Sequence, residues 1–472
     1  MSVTGIETVL TAGVEQFLEV CESRWPADQS RPRILTRAPG RIDCMGGMAD
    51  FSGALALQIP TERCCYMAAG PRNDQKVYVE SLGWNSDGTP AVGEWPLQSF
   101  YQSDGQLVTS EALVERFKNC SWVGHVAGVF LALLESGDIP HYAGGATLVF
   151  QSNIPPSAGV ASSAAIQVVT AKTLVDLFEV DLDAQKLARA CRMVNTAILG
   201  HEPGLVDHLT CLLGEADSLL QIRCQPDFVL GTLPLPKDVT IAGVDSGKRL
   251  EIYAQRYSDN RASSMIGRFL IERILKLSGA VGDPTGGYLA NISPNDYVRR
   301  FRNELPIKLR GKHFLDYFGQ PEELEITVQP NQIYKVRSRT EHHIYENDRT
   351  HRFMERLARA RRTGERDALV EAGELMYASH WSYSQRCGMG SIETDVLVNS
   401  IRQRGAARGL YGAKVTGGGC GGTVAVLMAD DPSARTALDE ACSEYSDKTG
   451  QTASVLIGSS PGAMAFGHKY LD

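Results

Sequence analysis

With 472 residues, 43% of them hydrophobic and 22% charged, the chain has the composition of a soluble globular protein and is long enough for two domains. A net charge of −8 sets it against nucleic acid and anionic membrane surfaces as main partners, because both would repel it overall. Eleven cysteines show no CxxC spacing, so reduced, scattered thiols in a cytoplasmic protein are expected.

Residues 5–24 carry apolar side chains at helical spacing (Ile6, Val9, Leu10, Val14, Phe17, Leu18) and predict an amphipathic first helix. The start has no basic stretch ahead of an apolar core, and no later run reaches the roughly 18 apolar residues of a membrane helix. ILTRAPGRID and ALALQIPT predict a strand pair around a glycine-rich bend, and CYMAAGP and KVYVESL continue the strand pattern. A helix is expected over 111–136, stopping at Gly137. ATLVFQSNIP predicts a strand, NIPPSAGVASS a loop, 163–178 and 184–199 helices, and GHEPGLVDH a loop. The pattern restarts near 225 with the short strands FVLGTLPL and VTIAGVDSG, which sets the expected domains at 1–224 and 225–472. Helices over 258–278, 350–363 and 366–380 follow, then a strand and a glycine loop in GAKVTGGGCGGTVAVLM; 279–345 is the least regular section. Strands and helices mixed without βαβ alternation point to an α+β fold.

Three stretches carry chemistry. Ser157, Ala158, Gly159, Val160, Ala161, Ser162 and Ser163 form a small-residue loop ahead of a helix. Bare backbone there leaves N–H groups free to face a phosphate, and a helix starting at Ser162 or Ser163 adds unpaired N–H groups and a positive dipole end. Close packing of a helix on a sheet with a serine cap would explain the same residues. The loop is neither a GxxxxGK[ST] P-loop nor a GxGxxG turn. A second loop, Thr416 to Thr423, holds five glycines in eight residues, more than a tight turn needs. The third stretch, APGRIDCMGGMADF, places Arg41 and Asp50 among small and apolar residues, where each needs a partner, and a salt bridge between the two would satisfy both.

In this order and spacing the three stretches resemble the signature motifs of the GHMP small-molecule kinases, in the galactokinase and L-arabinokinase branch. APGRIDCMGGMADFSG resembles GRVNxIGEHTDYxxG; SWVGHVAG, GLVDH and YSQRCGMGSIETDVLV resemble further segments of that branch. VDSGKR, ANISP, IYEN, GAKVTGGGCGGT and GSSPGA look like the arabinokinase side, over residues 33 to 467. The resemblance implies the GHMP kinase fold, two α+β domains with the active site between them, and only the kinase part of an arabinokinase. It implies an ATP-dependent sugar 1-kinase using Mg²⁺, acting on a small sugar as monomer or homodimer without nucleic acid or membrane.

Carried over by position, Asp207 is the carboxylate facing the anomeric hydroxyl and Arg41 its cationic neighbour. Asp50, Gly47, Met48, Gly204 and Tyr257 line the sugar. Residues 157–163 with Gly418, Gly419 and Cys420 hold the nucleotide phosphates, Trp122 lies on the adenine side, and Ser162 and Asn195 lie at the metal. The sequence departs from the galactokinase pattern at Gly47-Met48-Ala49-Asp50, in place of Glu-His-Thr-Asp. That glutamate holds the C6 hydroxyl of galactose in the family, so its loss favours L-arabinose, which lacks that group. It departs again at Asn195, where the family carries a Mg²⁺-ligating glutamate, with Glu202 a candidate substitute, and at His208. D-galactose as the sugar, or a protein that binds sugar and nucleotide as a sensor, are the alternatives. A hydrolase is disfavoured because Ser162 and Ser163 lack a GxSxG elbow. The run RSRTEHHIYENDRTH, with His342, His343 and His351, reads as a solvated connecting segment.

Overall fold

The computed structural model describes residues 12–25, 33–82, 91–117, 121–199, 204–249, 253–279, 283, 285–324, 326–419 and 422–471. It consists of two layered units, each a sheet covered by helices, sharing an apolar boundary.

The first sheet runs in the order His468–Tyr470, Ile34–Met45, Leu55–Arg72, Gly145–Ser152, Lys76–Ser81, Ala91–Pro96, and Ser218–Arg223 with Phe228–Pro234 extends it from the start of Leu55–Arg72. All pairings are antiparallel except Lys76–Ser81 on Gly145–Ser152. Leu55–Arg72 is one long strand where the sequence suggested two: its pairing with Ile34–Met45 shifts register between Pro39 and Arg41, so Thr61, Glu62 and Arg63 bulge out of the ladder without ending the strand. The chain passes to the second sheet only after Pro234. That sheet is antiparallel, in the order Leu410–Val415, Thr423–Ala429, Val239–Asp245, Ser454–Leu456.

Helix Ser162–Leu177 is buried over nearly its whole circumference, from Ala164 to Val175, because it sits between the first sheet and helices Ser121–Glu135 and Ala184–Leu199. Such a helix shows no polar stripe in its sequence. Helix Ala12–Arg24, in contrast, buries Val14, Phe17, Leu18 and Cys21, one face at three- and four-residue steps, against Leu35, Tyr66 and Val149 on the sheet's other side. Strand Ile34–Met45 is buried at every residue, and its end (Ile42, Cys44, Met45) enters the second core beside Ile241, Val244 and Phe353. That strand therefore belongs to both units, which fixes whatever it carries between them.

Three expectations are corrected. The single helix over 111–136 is two, Ser110–Arg116 and Ser121–Glu135. Of the expected loop GHEPGLVDH, residues 200–203 lie outside the described residues, and its end enters helix Val206–Leu213, whose first turn holds Asp207. The histidine-rich run is no solvated connection: it opens the 28-residue helix Val336–Thr363, and His342, His343 and Glu346 are fully buried. Glu346 pairs with Arg349 at 2.7 Å and Ser379 at 2.5 Å, and His342 Nδ1 with Ser382 at 2.9 Å, while both ring nitrogens of His343 are buried without a hydrogen-bond partner. His351 is exposed, and among the described residues no His, Cys, Asp and Glu cluster suits a metal ion.

Candidate active site

The small-residue loop ends with Gly159 at φ 81° and two residues that rarely adopt the left-handed region, Ser157 at φ 54° and Ala161 at φ 60°. Ala161 is the N-cap of helix Ser162–Leu177 and has no side chain to cap it, so the first N–H groups of a 16-residue helix lack the usual acceptor. Strain of this kind costs about 1–2 kcal/mol per residue and persists where surrounding contacts enforce it. Here the contacts come from both other motifs. Arg41 N–H donates to Val160 O at 3.1 Å, and Thr423 N–H donates to Ala158 O at 2.9 Å. A Cβ at Gly422 would stand 2.2 Å from Ala158 O, and one at Gly40 2.7 Å from Val160 O, so these two positions admit only glycine.

The three motifs thus converge on one place, and Arg41 joins them. Its Nε and Nη2 donate to the two oxygens of Asp207 at 2.8 and 2.6 Å, and its Nη1 donates to Gly159 O at 2.6 Å. The partner of Arg41 is Asp207 rather than Asp50. Gln58 Nε2 donates to Asp207 Oδ1 at 3.1 Å, and Thr210 Oγ1 donates to Gln58 Oε1 at 2.8 Å, fixing the amide's orientation. Burial alone would raise the pKa of Asp207, but the Arg41 charge and hydrogen bonds, with Gln58, outweigh it and hold the carboxyl below its usual range. The side chain is still 32% exposed, so an ionised carboxylate is presented at the surface of the site.

Asp50 stands apart, its Oδ1 accepting from Phe51 N–H at 2.7 Å. Burial, then the nearby acids Asp227, Asp207 and Asp43, push it up to about 7 despite that bond. A Cβ at Gly204 would meet Asp50 Oδ2 at 2.7 Å, and both residues border a cavity of about 340 Å³ with Phe51, Arg261 and Tyr288. Tyr257 lies edge-on to Phe51, with ring centroids 6.1 Å apart, and packs on the cluster of Met48, Tyr383 and Met389. Asp50, Met48, Gly204 and Tyr257 are therefore neighbours, with Gly47 adjacent in the chain.

Of the third loop, Gly417 and Gly419 have φ of 61° and 72°, and a Cβ at Gly417 would meet Gly159 O at 3.1 Å. Gly418 is partly exposed between them; Cys420, like Glu202, lies outside the described residues. Trp122 is 4% exposed in the first core, its ring 5.0 Å from Phe150. Asn195 belongs to a layer beneath Asp207: its Oδ1 accepts from Gln167 Nε2 at 2.8 Å, and Gln167 also meets His125 Nδ1 and His208 Nε2, each at 2.8 Å. Burial pushes His125 and His208 down to about 4, so this layer is neutral.

Sequence reasoning passed over Gln58, Asp43 and Lys414. The last two form a fully buried pair at 3.1 Å; their signal was a lysine within the otherwise apolar strand LYGAKV and a second acid inside the arginine motif.

Residues 124–215 match the family model of the GHMP kinases N terminal domain, and residues 365–447 that of the GHMP kinases C terminal domain. The chain is 30% identical to the L-arabinokinase of Arabidopsis thaliana over 92% of its own length but spans only 46% of that longer protein. It is 29% identical to a galactokinase of Chloroflexus aurantiacus, covering 85% of each. Its fold matches a crystal structure of Lactococcus lactis galactokinase complexed with galactose, at a TM-score of 0.70 and 21% identity, over 96% of this chain and 99% of that one. Among the described residues no helix is long and apolar enough to cross a membrane.

Proposed function

The chain belongs to the GHMP kinases, and on that premise we propose that it is an ATP-dependent sugar 1-kinase that converts L-arabinose to L-arabinose 1-phosphate. The observation that carries this reading is the Arg41–Asp207 pair set directly against the uncapped helix start. An ionised carboxylate, a buried cation and a helix start without a side-chain cap lie within one hydrogen-bonded unit.

Phosphoryl transfer asks mainly for positioning and charge compensation. Asp207, held acidic by Arg41, is a weak base, so it orients the anomeric hydroxyl and receives its proton as the bond to phosphorus forms. Arg41 stabilises charge on the transferred group, and residues 157–163 with Gly418 and Gly419 hold the phosphates by backbone N–H groups. Asp50 accepts from ring hydroxyls, beside Tyr257 and the bare backbone of Gly204. The neutral donor set suits a Mg²⁺ ion carried chiefly by the nucleotide phosphates: the Ser162 hydroxyl is available, whereas the Asn195 oxygen already accepts from Gln167. Bound there, the ion would neutralise phosphate charge.

The choice of L-arabinose rests on Gly47 and Met48, which place no acid where a C6 hydroxyl would need one. A coupled ADP-release assay with Mg·ATP across L-arabinose, D-galactose and D-glucuronate tests it, with the highest kcat/KM expected for L-arabinose. A preference for D-galactose would make the protein a galactokinase. No ADP from any sugar, while sugar and ATP bind by calorimetry, would make it a sensor.

A further inference from the structure

Positions 43 and 47 compete for one space. Asp43 and Lys414 are both fully buried, with Oδ2 and Nζ 3.1 Å apart, and they join the first sheet to the second. Thr416 fixes the backbone of Asp43 from both sides, its Oγ1 accepting from the Asp43 N–H at 2.7 Å and donating to the Asp43 carbonyl at 2.9 Å. The ammonium lies 4.8 Å over the Tyr383 ring, and the Tyr383 hydroxyl accepts from Met48 N–H at 2.8 Å and donates to Gly417 O at 3.2 Å. A buried lysine bonded to this carboxylate keeps it where it is, because separating them would strand a charge. Asp43 Oδ1 has no hydrogen-bond partner, a cost that the pairing with Lys414 sustains.

Gly47 lies against the face of that carboxylate. A Cβ there would stand 2.3 Å from Asp43 Oδ2 and 2.5 Å from its Cγ, while the glycine's φ lies outside the left-handed region. Space, and not backbone conformation, demands glycine at 47.

We infer that Asp43, pinned by Lys414, is a specificity-determining residue: it fills the volume that a side chain at 47 requires, and so keeps a charged acceptor off that edge of the sugar pocket. This deepens the sugar-kinase reading and rests on it. The sugar preference then belongs to Asp43, Gly47 and Lys414 as a unit, and an acid cannot be gained at 47 alone. Removing the carboxylate at 43 while adding one at 47 keeps Lys414 supplied with a partner.

The test compares Gly47→Glu with Asp43→Ala/Gly47→Glu by thermal unfolding and by kcat/KM on L-arabinose and D-galactose. Gly47→Glu alone should lower Tm and reduce kcat/KM for both sugars. The double variant should recover Tm and raise the galactose-to-arabinose ratio by about tenfold over wild type, chiefly through KM, the effect of one added charged hydrogen bond. A single variant that is stable and already shifted toward galactose, or a double variant with the wild-type ratio, would overturn the inference. A second cycle is independent of activity: Gly47→Ala should be costly in wild type and nearly free in an Asp43→Ala/Lys414→Met background. Equal cost in both backgrounds would overturn it as well. A wild-type protein that phosphorylates no sugar would sink the sugar-kinase reading instead, with the second cycle still deciding whether 43 and 47 share space.

Discussion

Arg41 and Asp207 meet edge to edge through two parallel N–H···O bonds of 2.8 and 2.6 Å, and the third nitrogen of the same guanidinium donates to Gly159 O at 2.6 Å. One planar side chain therefore sets the distance between the Asp207 carboxylate and the small-residue loop, the two parts proposed to face the acceptor hydroxyl and the phosphates. Asp207→Asn should lower kcat by about 10²–10⁴-fold, since the amide orients a hydroxyl but takes no proton. Arg41→Lys should fall by a comparable factor although charge is kept, because an ammonium cannot grip both carboxylate oxygens and the loop carbonyl together. Steady-state kinetics with ATP affinity measured by calorimetry checks both; wild-type kcat in either variant would remove the pair from the mechanism.

Asp50 gives the site a pH dependence. Its folded value near 7 lies above the ordinary 3.8, raised by burial first and by Asp227, Asp207 and Asp43 next. A group raised in the folded state contributes stability that is complete below its ordinary pKa and is lost as pH rises through the folded value. The protein thus gives up stability between about pH 4 and 7, while the Asp50 carboxylate, proposed to accept from sugar hydroxyls, is gained near pH 7. Sugar KM should fall as pH rises from 6 to 8, and Asp50→Asn should raise KM and flatten the profile. A wild-type KM constant over this range would count against a sugar contact at Asp50.

What the sequence made legible here were the backbone demands. Loops that must stay bare are written in glycine, alanine and serine, and the convergence of three such stretches is what the structure contains. Partners distant along the chain were not legible. Arg41 sits nine residues from Asp50 and 166 from Asp207, and only the shared strand between the two cores selects the second. The HHIYEN run misled because charge density marks solvent only when the charges lack internal partners; Arg349 and Ser379 supply them to Glu346. Asp207 was expected in a loop, GHEPGLVDH following a helix over 184–199, but the end of that segment opens helix Val206–Leu213 with Leu205 as its N-cap.

The buried histidines tie stability to pH in the opposite sense. Burial pushes His343 down to about 3 and His342 well below its ordinary 6.5. Depressed basic groups stay neutral in the fold while the unfolded chain binds protons, so stability is complete above the ordinary value and declines as pH falls through 6.5 toward 3. His343 has no hydrogen-bond partner at either ring nitrogen and lies 4.8 Å from the Phe51 ring. His343→Phe should keep the ring contact, remove the proton uptake and raise stability at pH 5 by roughly 2 kcal/mol. Chemical denaturation at pH 5 and 7.5 reads this directly, and an unchanged difference between the two pH values would place the acid sensitivity elsewhere.

Asn195, proposed beside the metal, sits in a hydrogen-bonded layer with Gln167 and His208. His208 Nε2 lies 2.8 Å from Gln167 Oε1 and 3.4 Å from Asn195 Nδ2. One ring nitrogen cannot donate to the first and accept from the second, and the shorter contact makes it the donor. Asn195 is then anchored through Oδ1 alone, by Gln167 at 2.8 Å. Asn195→Asp, the isostere, would keep that acceptor and add a second, charged oxygen where the amide nitrogen now stands, facing the His208 N–H. If the position borders the ion, the added charge should lower the Mg²⁺ concentration giving half-maximal rate by about tenfold, for a hydrogen-bonded carboxylate replacing a neutral amide. If it serves only the neutral layer under Asp207, the Mg²⁺ response should stay as in wild type. The carboxylate would then draw a proton onto His208, and the rate should change with pH near neutrality. Titrating Mg²⁺ at fixed ATP, at pH 6.5 and 8, separates the two.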